Sequence, residues 1–120
     1  MKAAAALSAY ICAIAVSAGA AHADHYANHR AGDYPLHHAL WLCIHRSEAT
    51  SWTATNGRYR GGLQLHLGWG YGSSYDAAQD TQAQQEWSAE NAYRASGYAR
   101  SFLVGQWIAY DGAWRCMNLA

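Results

Sequence analysis

The spacing of hydrophobic residues changes several times along the chain, and each change marks an element. An apolar run without charge extends from Leu7 to Ala21 behind Lys2, and Ala21-His22-Ala23 then leads into polar Asp24-His25. That layout predicts a secretory signal at residues 1–23, cleaved after Ala23. The run falls short of the ~20 residues that span a bilayer, so a membrane anchor is not expected once the signal is removed. Residues 24–34 show no apolar period and read as a flexible leader.

Pro35 then opens a stripe of Leu36, Ala39, Leu40, Cys43, Ile44 and Ser47 at helical spacing, with proline in its favoured first-turn position. Trp41, Ile44 and Glu48 stand at i, i+3 and i+7, which puts a carboxylate at the end of an apolar row. Beyond Thr50 the pattern becomes short-range. Asn56-Gly57 is a strong hairpin signal. In Leu63-Gln64-Leu65-His66-Leu67 the leucines alternate with polar residues, so an extended segment would turn Gln64 and His66 away from them. Gly68, Gly70 and Gly72 interleave with Trp69 and Tyr71 in a pliable aromatic loop.

Helical character returns at Thr81, whose spacing to Gln84 matches a capping box, and Gly97 is a natural stop. A last helix is expected to carry Ala99, Phe102, Leu103, Gln106 and Tyr110 along one side, with Asp111-Gly112 turning the chain toward Trp114 and Cys116. The element order predicts one mainly helical α+β domain over residues 35–120, with a short β-hairpin.

Cysteine count sharpens this picture. Of three cysteines Cys12 leaves with the signal, and the remaining two, Cys43 and Cys116, read as a disulfide in an exported chain. Removing 23 residues from 120 leaves 97, near the lower limit for a self-sufficient core, so such a staple has a role. Closing a 73-residue loop contributes about 4 kcal/mol on the chain-entropy model. The mature segment holds seven arginines, no lysine and eight carboxylates, one net negative charge with histidines neutral. Nucleic acid is therefore not an expected partner, because phosphate binding requires a basic surplus.

No metal or cofactor site is expected. His25 and His29 lack a third ligand at a recognisable spacing, and His37, His38 and His45 form no convincing set. Asp76 and Asp80 read as surface loop acids. All six tryptophans lie beyond the signal, among Gly, Ser, Asn and Gln. Such a mixture suits either an aromatic core or a carbohydrate cleft with flat rings on sugar faces. Tyr59, Trp69 and Tyr71 fit both descriptions. Glu48 is the candidate acid: glycosidic cleavage needs a carboxyl that stays protonated near neutral pH, and an apolar setting supplies that.

The string Trp41-Leu42-Cys43-Ile44-His45-Arg46-Ser47-Glu48, followed by Trp52, Asn56-Gly57, Tyr59 and Gly61-Gly62-Leu63-Gln64, resembles the catalytic domain of resuscitation-promoting factors and related transglycosylase-like proteins. Gln82-Ala83-Gln84-Gln85, Ala89-Glu90, Tyr93 and Trp114 before Cys116 extend the likeness over most of residues 38–116. The resemblance implies a small lysozyme-like fold, a Cys43–Cys116 disulfide, Glu48 as the general acid, and Gln64 with Trp52 lining a glycan cleft.

The expected function is thus a secreted glycosidase or lytic transglycosylase acting on peptidoglycan glycan strands. It would be released or loosely associated with the cell wall, with a partner wall hydrolase left open. Tyr59 and Trp69 are further candidates for substrate binding. An inactive glycan-binding module and a small disulfide-stapled secreted interaction protein are the alternatives. Convergence of Glu48, Trp52 and Gln64 on one concave surface is what the enzymatic reading requires.

Overall fold

In the computed structural model, which describes residues 32–120, the first helix α1 (His38–Glu48) forms the spine of the domain. Leu40, Trp41, Cys43 and Ile44 are its buried residues. The apolar stripe starts later than the sequence pattern suggests: Leu36 is 86% exposed and Ala39 is also exposed. The reason is that Pro35 precedes the helix, its carbonyl accepting the His38 N–H at 3.1 Å, so residue 36 belongs to a turn. Arg46 lies in the last turn, where positive charge suits the exposed carbonyls.

Thr55–Asn56 (β1), Tyr59–Arg60 (β2) and Leu65–His66 (β3) form an antiparallel sheet in the order β1-β2-β3. The pairing Asn56↔Tyr59 leaves Gly57-Arg58 as the turn, with Gly57 at φ 59°, a left-handed position that favours glycine. The third strand is shorter than the alternating leucines imply. Gln64 is itself left-handed at φ 52° and its N–H bonds back to Gly61 O at 3.2 Å, so Leu63-Gln64 is a turn. Leu63 and Leu65 are fully buried, whereas Leu67 is 45% exposed.

A short 3₁₀ turn (Ala77–Gln79) leads to helix α2 (Gln82–Ala95), which starts with the expected Thr81/Gln84 capping box and is followed by Gly97 at φ 76°. α2 packs on α1 through buried carboxylates as well as apolar contacts. His38 Nδ1 donates to Glu86 Oε1 at 2.6 Å, His37 Nδ1 to Glu90 Oε2 at 2.9 Å, and Trp41 Nε1 to Glu90 Oε1 at 2.8 Å. Buried polar groups are tolerable only when partnered in this way. His45 Nδ1 donates to Gly62 O at 2.8 Å, so each histidine of α1 and its entry serves packing.

The final helical stretch is continuous: α3 (Arg100–Leu103) passes through a π-turn (Val104–Ile108) into α4 (Ala109–Asp111). The wide turn changes the buried face from the one expected. Leu103, Trp107 and Ile108 are buried and Tyr110 is 80% exposed. Trp107 meets Trp41 edge-on with centroids 5.5 Å apart and donates from Nε1 to Leu63 O at 2.8 Å. A terminal 3₁₀ segment (Trp114–Leu119) carries Cys116, bonded to Cys43 with the Cα atoms 5.6 Å apart.

About half of the described residues are helical, and the domain is a small α+β unit with a three-stranded antiparallel sheet and one disulfide. None of the described helices is long and apolar enough to cross a membrane. The expected signal and residues 24–31 of the expected leader lie outside the described residues. Of the remaining leader residues, the backbone carbonyl of Asp33 accepts from Trp87 Nε1 at 2.8 Å and the Tyr34 ring lies 4.1 Å from that of His38, so both touch the domain.

Candidate functional site

Glu48 is the last residue of α1, and there the helix opens into a groove of about 500 Å³. The sheet side supplies Asn56, Tyr59, Gln64 and His66, with Trp69 from the glycine loop. The opposite wall is the π-turn and α4, contributing Gly105, Gln106, Trp107, Tyr110 and Asp111. Local structure explains each placement. The hairpin register brings Asn56 and Tyr59 side by side and puts Tyr59 across from His66, their rings edge-on at 4.8 Å. The left-handed Gln64 sits between the glycine pair and β3, its Nε2 donating to Gly61 O at 2.8 Å. A left-handed backbone on a non-glycine residue costs free energy, and such strain gathers at functional sites.

Of the residues singled out from sequence, Glu48, Tyr59, Gln64 and Trp69 come together in the groove. Trp52 does not line it, so the convergence expected of Glu48, Trp52 and Gln64 on one concave surface holds for Glu48 and Gln64 and fails for Trp52. Its ring stacks on His45 at 4.2 Å with planes 22° apart and packs against Gly62, where a Cβ would overlap the indole. Tyr71 is a core residue, 6% exposed and packed against Tyr75, and burial pushes its phenol upward. Trp69 reaches the groove while its Nε1 is tied to Ser88 O at 3.1 Å, so its ring orientation is held by the core. Asp76 is occupied by Arg60, which donates Nε to Oδ1 and Nη2 to Oδ2, both at 2.9 Å. That forked pair pins the sheet to the loop before α2.

The residue that sequence reasoning missed is Asp111. Read from sequence as part of a turn with Gly112, it lines the same groove as Glu48 from 63 positions away in the chain. Gln106 carried a usable signal, being a polar residue in an otherwise apolar helical stripe; nothing local marked Asp111.

Electrostatically the groove favours a neutral Glu48. Burial is the largest cause, followed by the side-chain hydrogen bond with Asp111 and the repulsion between the two carboxyls, and together they push its pKa up to about 9. Glu48 Oε2 is buried without a hydrogen-bond partner, an expensive arrangement for a charged oxygen and a tolerable one for a protonated acid. Among the described residues, no arginine lines the groove to hold it ionised. Among the described residues, no group of three His, Cys, Asp or Glu side chains comes together in metal-holding geometry. The arrangement can donate a proton at neutral pH from within a groove that offers amides and aromatic faces to a polyhydroxylated ligand.

Comparisons of the chain with protein-family models, curated proteins and solved structures find no match.

Proposed function

We propose that this protein cleaves glycosidic bonds in the glycan strands of peptidoglycan, with Glu48 as the general acid. The observation that carries the reading is a glutamic acid lining an open groove with one oxygen buried and unpartnered, a setting that pushes its pKa up to about 9. A leaving sugar oxygen needs such a donor, because an ionised carboxylate has no proton to give. Asn56, Gln64 and Gln106 present amides suited to sugar hydroxyls, while Tyr59 and the rim residue Tyr110 offer exposed ring faces. The motif likeness to transglycosylase-like domains supports the same chemistry and a lysozyme-like arrangement of helices around a small sheet.

The mechanism uses one acid. Glu48 transfers its proton to the bridging oxygen as the C–O bond breaks, and the leaving sugar departs with that proton as a hydroxyl. The resulting carboxylate then takes the proton of the muramic acid 6-hydroxyl, whose oxygen bonds to the anomeric carbon and closes an anhydro ring. A water molecule in place of that hydroxyl gives hydrolysis instead. Classical glycosidases pair two carboxyls about 5–9.5 Å apart across the sugar, one as acid and the other as base or nucleophile. The substrate's own hydroxyl fills that role without a second acid.

The enzyme acts outside the membrane on this reading, released or resting on the wall, alone or beside another wall hydrolase. A gel containing cell-wall material tests it: the wild-type band clears and the Glu48→Gln band does not. Wall pull-down by wild type without any clearing identifies a glycan-binding module instead.

A further inference from the structure

We propose that Gln85 is a positioning residue that acts on the groove without lining it: it locks the Gly61–Gly62 peptide in the orientation from which Gln64 is held at the groove wall, and so sets glycan affinity from inside helix α2. The affinity half of this statement rests on the proposed glycosidase reading; the peptide lock does not.

Gln85 is fully buried, and both ends of its side-chain amide are engaged. Oε1 accepts the Gly62 N–H at 2.8 Å, while Nε2 donates to Trp52 O at 2.7 Å and to Asp80 O at 3.1 Å. The two carbonyls decide which way round the amide sits, because an oxygen turned toward them would face two further acceptors. With Nε2 committed to them, Oε1 is left to meet the loop, and only an N–H can satisfy it. The neighbouring Gln84 serves the cap of its own helix, so the adjacent glutamines have different roles.

Gly61 O and the Gly62 N–H belong to one peptide unit and, the bond being trans, point in opposite directions. On the carbonyl side Gly61 O accepts twice from Gln64, from the backbone N–H at 3.2 Å and from side-chain Nε2 at 2.8 Å. Gln85 thus grips one end of a peptide plane and Gln64 hangs from the other, where it lines the groove. This loop needs such a grip. Turning the plane over changes ψ of Gly61 and φ of Gly62, and glycine on both sides leaves that rotation with little steric resistance. The turned peptide would aim an N–H where Gln64 needs a carbonyl, releasing both bonds that hold a left-handed residue at φ 52°. Hydrogen bonds at the two ends of one amide also strengthen each other. A Cβ on Gly61 would collide with Gln85 Oε1 and one on Gly62 with the Trp52 ring, so the loop admits no side chain where these two residues close on it.

The test compares amide hydrogen exchange and wall-cleavage kinetics in wild type, Gln85→Met and Gln85→Glu. Methionine keeps the length of the side chain and removes its acceptor and donors. Glutamic acid, protonated at low pH, keeps an oxygen for Gly62 and a donor for one carbonyl. In Gln85→Met the Gln64 backbone N–H should exchange about tenfold faster while the Ile44 amide of α1 keeps its wild-type rate; in Gln85→Glu the Gln64 rate should stay within about twofold of wild type. An unchanged Gln64 rate in Gln85→Met, a rise shared equally with the α1 amides, or lost protection of Gln64 in Gln85→Glu overturns the lock. The glutamic acid variant keeps the question decidable if the methionine variant does not fold. With solubilised glycan strands as substrate, KM should rise about tenfold in Gln85→Met and kcat should change less than about threefold, the size of one lost neutral hydrogen bond to the ligand. In a Gln64→Ala background Gln85→Met should raise KM no further, as required of a residue that acts through Gln64. Equal KM in wild type and Gln85→Met, or an undiminished rise without the Gln64 amide, overturns the claim that the lock sets affinity. Exchange that follows the prediction in a protein that cleaves no wall upholds the lock and removes the glycosidase reading, so the two failures are distinguishable.

Discussion

Replacing Gly62 with alanine isolates how the Gly-Gly-Leu-Gln segment holds the groove wall. A methyl group at position 62 would enter the Trp52 ring and approach His45 Nδ1 to 2.8 Å. Neither neighbour can yield cheaply. The indole is stacked on His45 at 4.2 Å, and His45 Nδ1 donates to Gly62 O at 2.8 Å, so moving the ring disturbs the bond that seats the loop on α1. Overpacking costs roughly 1–3 kcal/mol and a lost hydrogen bond adds about 1, which together predict a destabilisation of about 3 kcal/mol. For a domain of this size the melting temperature falls by on the order of 15 °C. Gly57→Ala is the control: it meets nothing within 4 Å and carries only the left-handed backbone penalty, about 1 kcal/mol. Thermal or urea unfolding of both variants provides the comparison. In a Trp52→Ala background the cost of Gly62→Ala should shrink toward that of the lost hydrogen bond alone, as expected for residues in contact. Equal melting temperatures for Gly62→Ala and Gly57→Ala, or an undiminished cost without Trp52, would refute this account of the segment.

Two further outcomes follow from the same structure. Reducing the Cys43–Cys116 bond, or replacing both cysteines by serine, frees a 73-residue separation and should lower unfolding free energy by about 4 kcal/mol, read from urea curves with and without reductant. Raising pH should weaken the fold: Glu48 and Glu86 both bind protons more tightly when folded than their ordinary values imply, so their contribution is full in acid and is lost as pH climbs from about 4.5 toward about 9 for Glu48. For Glu48 the nominal loss of about 6 kcal/mol shrinks under solvent screening of this half-buried side chain to about 2 kcal/mol. Urea midpoints at pH 5, 7 and 9 should therefore decline in wild type and decline less in Glu48→Gln; a rise with pH would contradict the sign.

The features legible in the sequence are those whose cause is local or countable. Thr81 and Gln84 cap a helix because both partners lie within one turn, Asn56-Gly57 makes a hairpin because the turn demands a left-handed residue, and two remaining cysteines had one pairing available. Glu48 was also visible, since an acid closing an apolar helical row is a local anomaly. The features that were not legible depend on tertiary contacts. Gln64 leaves the alternating leucine pattern because its amide is drawn back to Gly61, the π-turn is set by the joint burial of Trp107 and Ile108, and Trp52 is claimed by the surface of His45. Asp111 gains its place only from the groove it shares with Glu48, 63 residues earlier in the chain.

The central claim is that the neutral carboxyl of Glu48 breaks a glycosidic bond. It is tested most directly by incubating purified sacculi at neutral pH with wild type or Glu48→Gln and weighing the soluble fragments by mass spectrometry. Wild type should release muropeptides with anhydro ends, one water lighter than reducing ends, and the glutamine variant, folded but without a titratable proton, should release none. Fragments released equally by both proteins would contradict the claim.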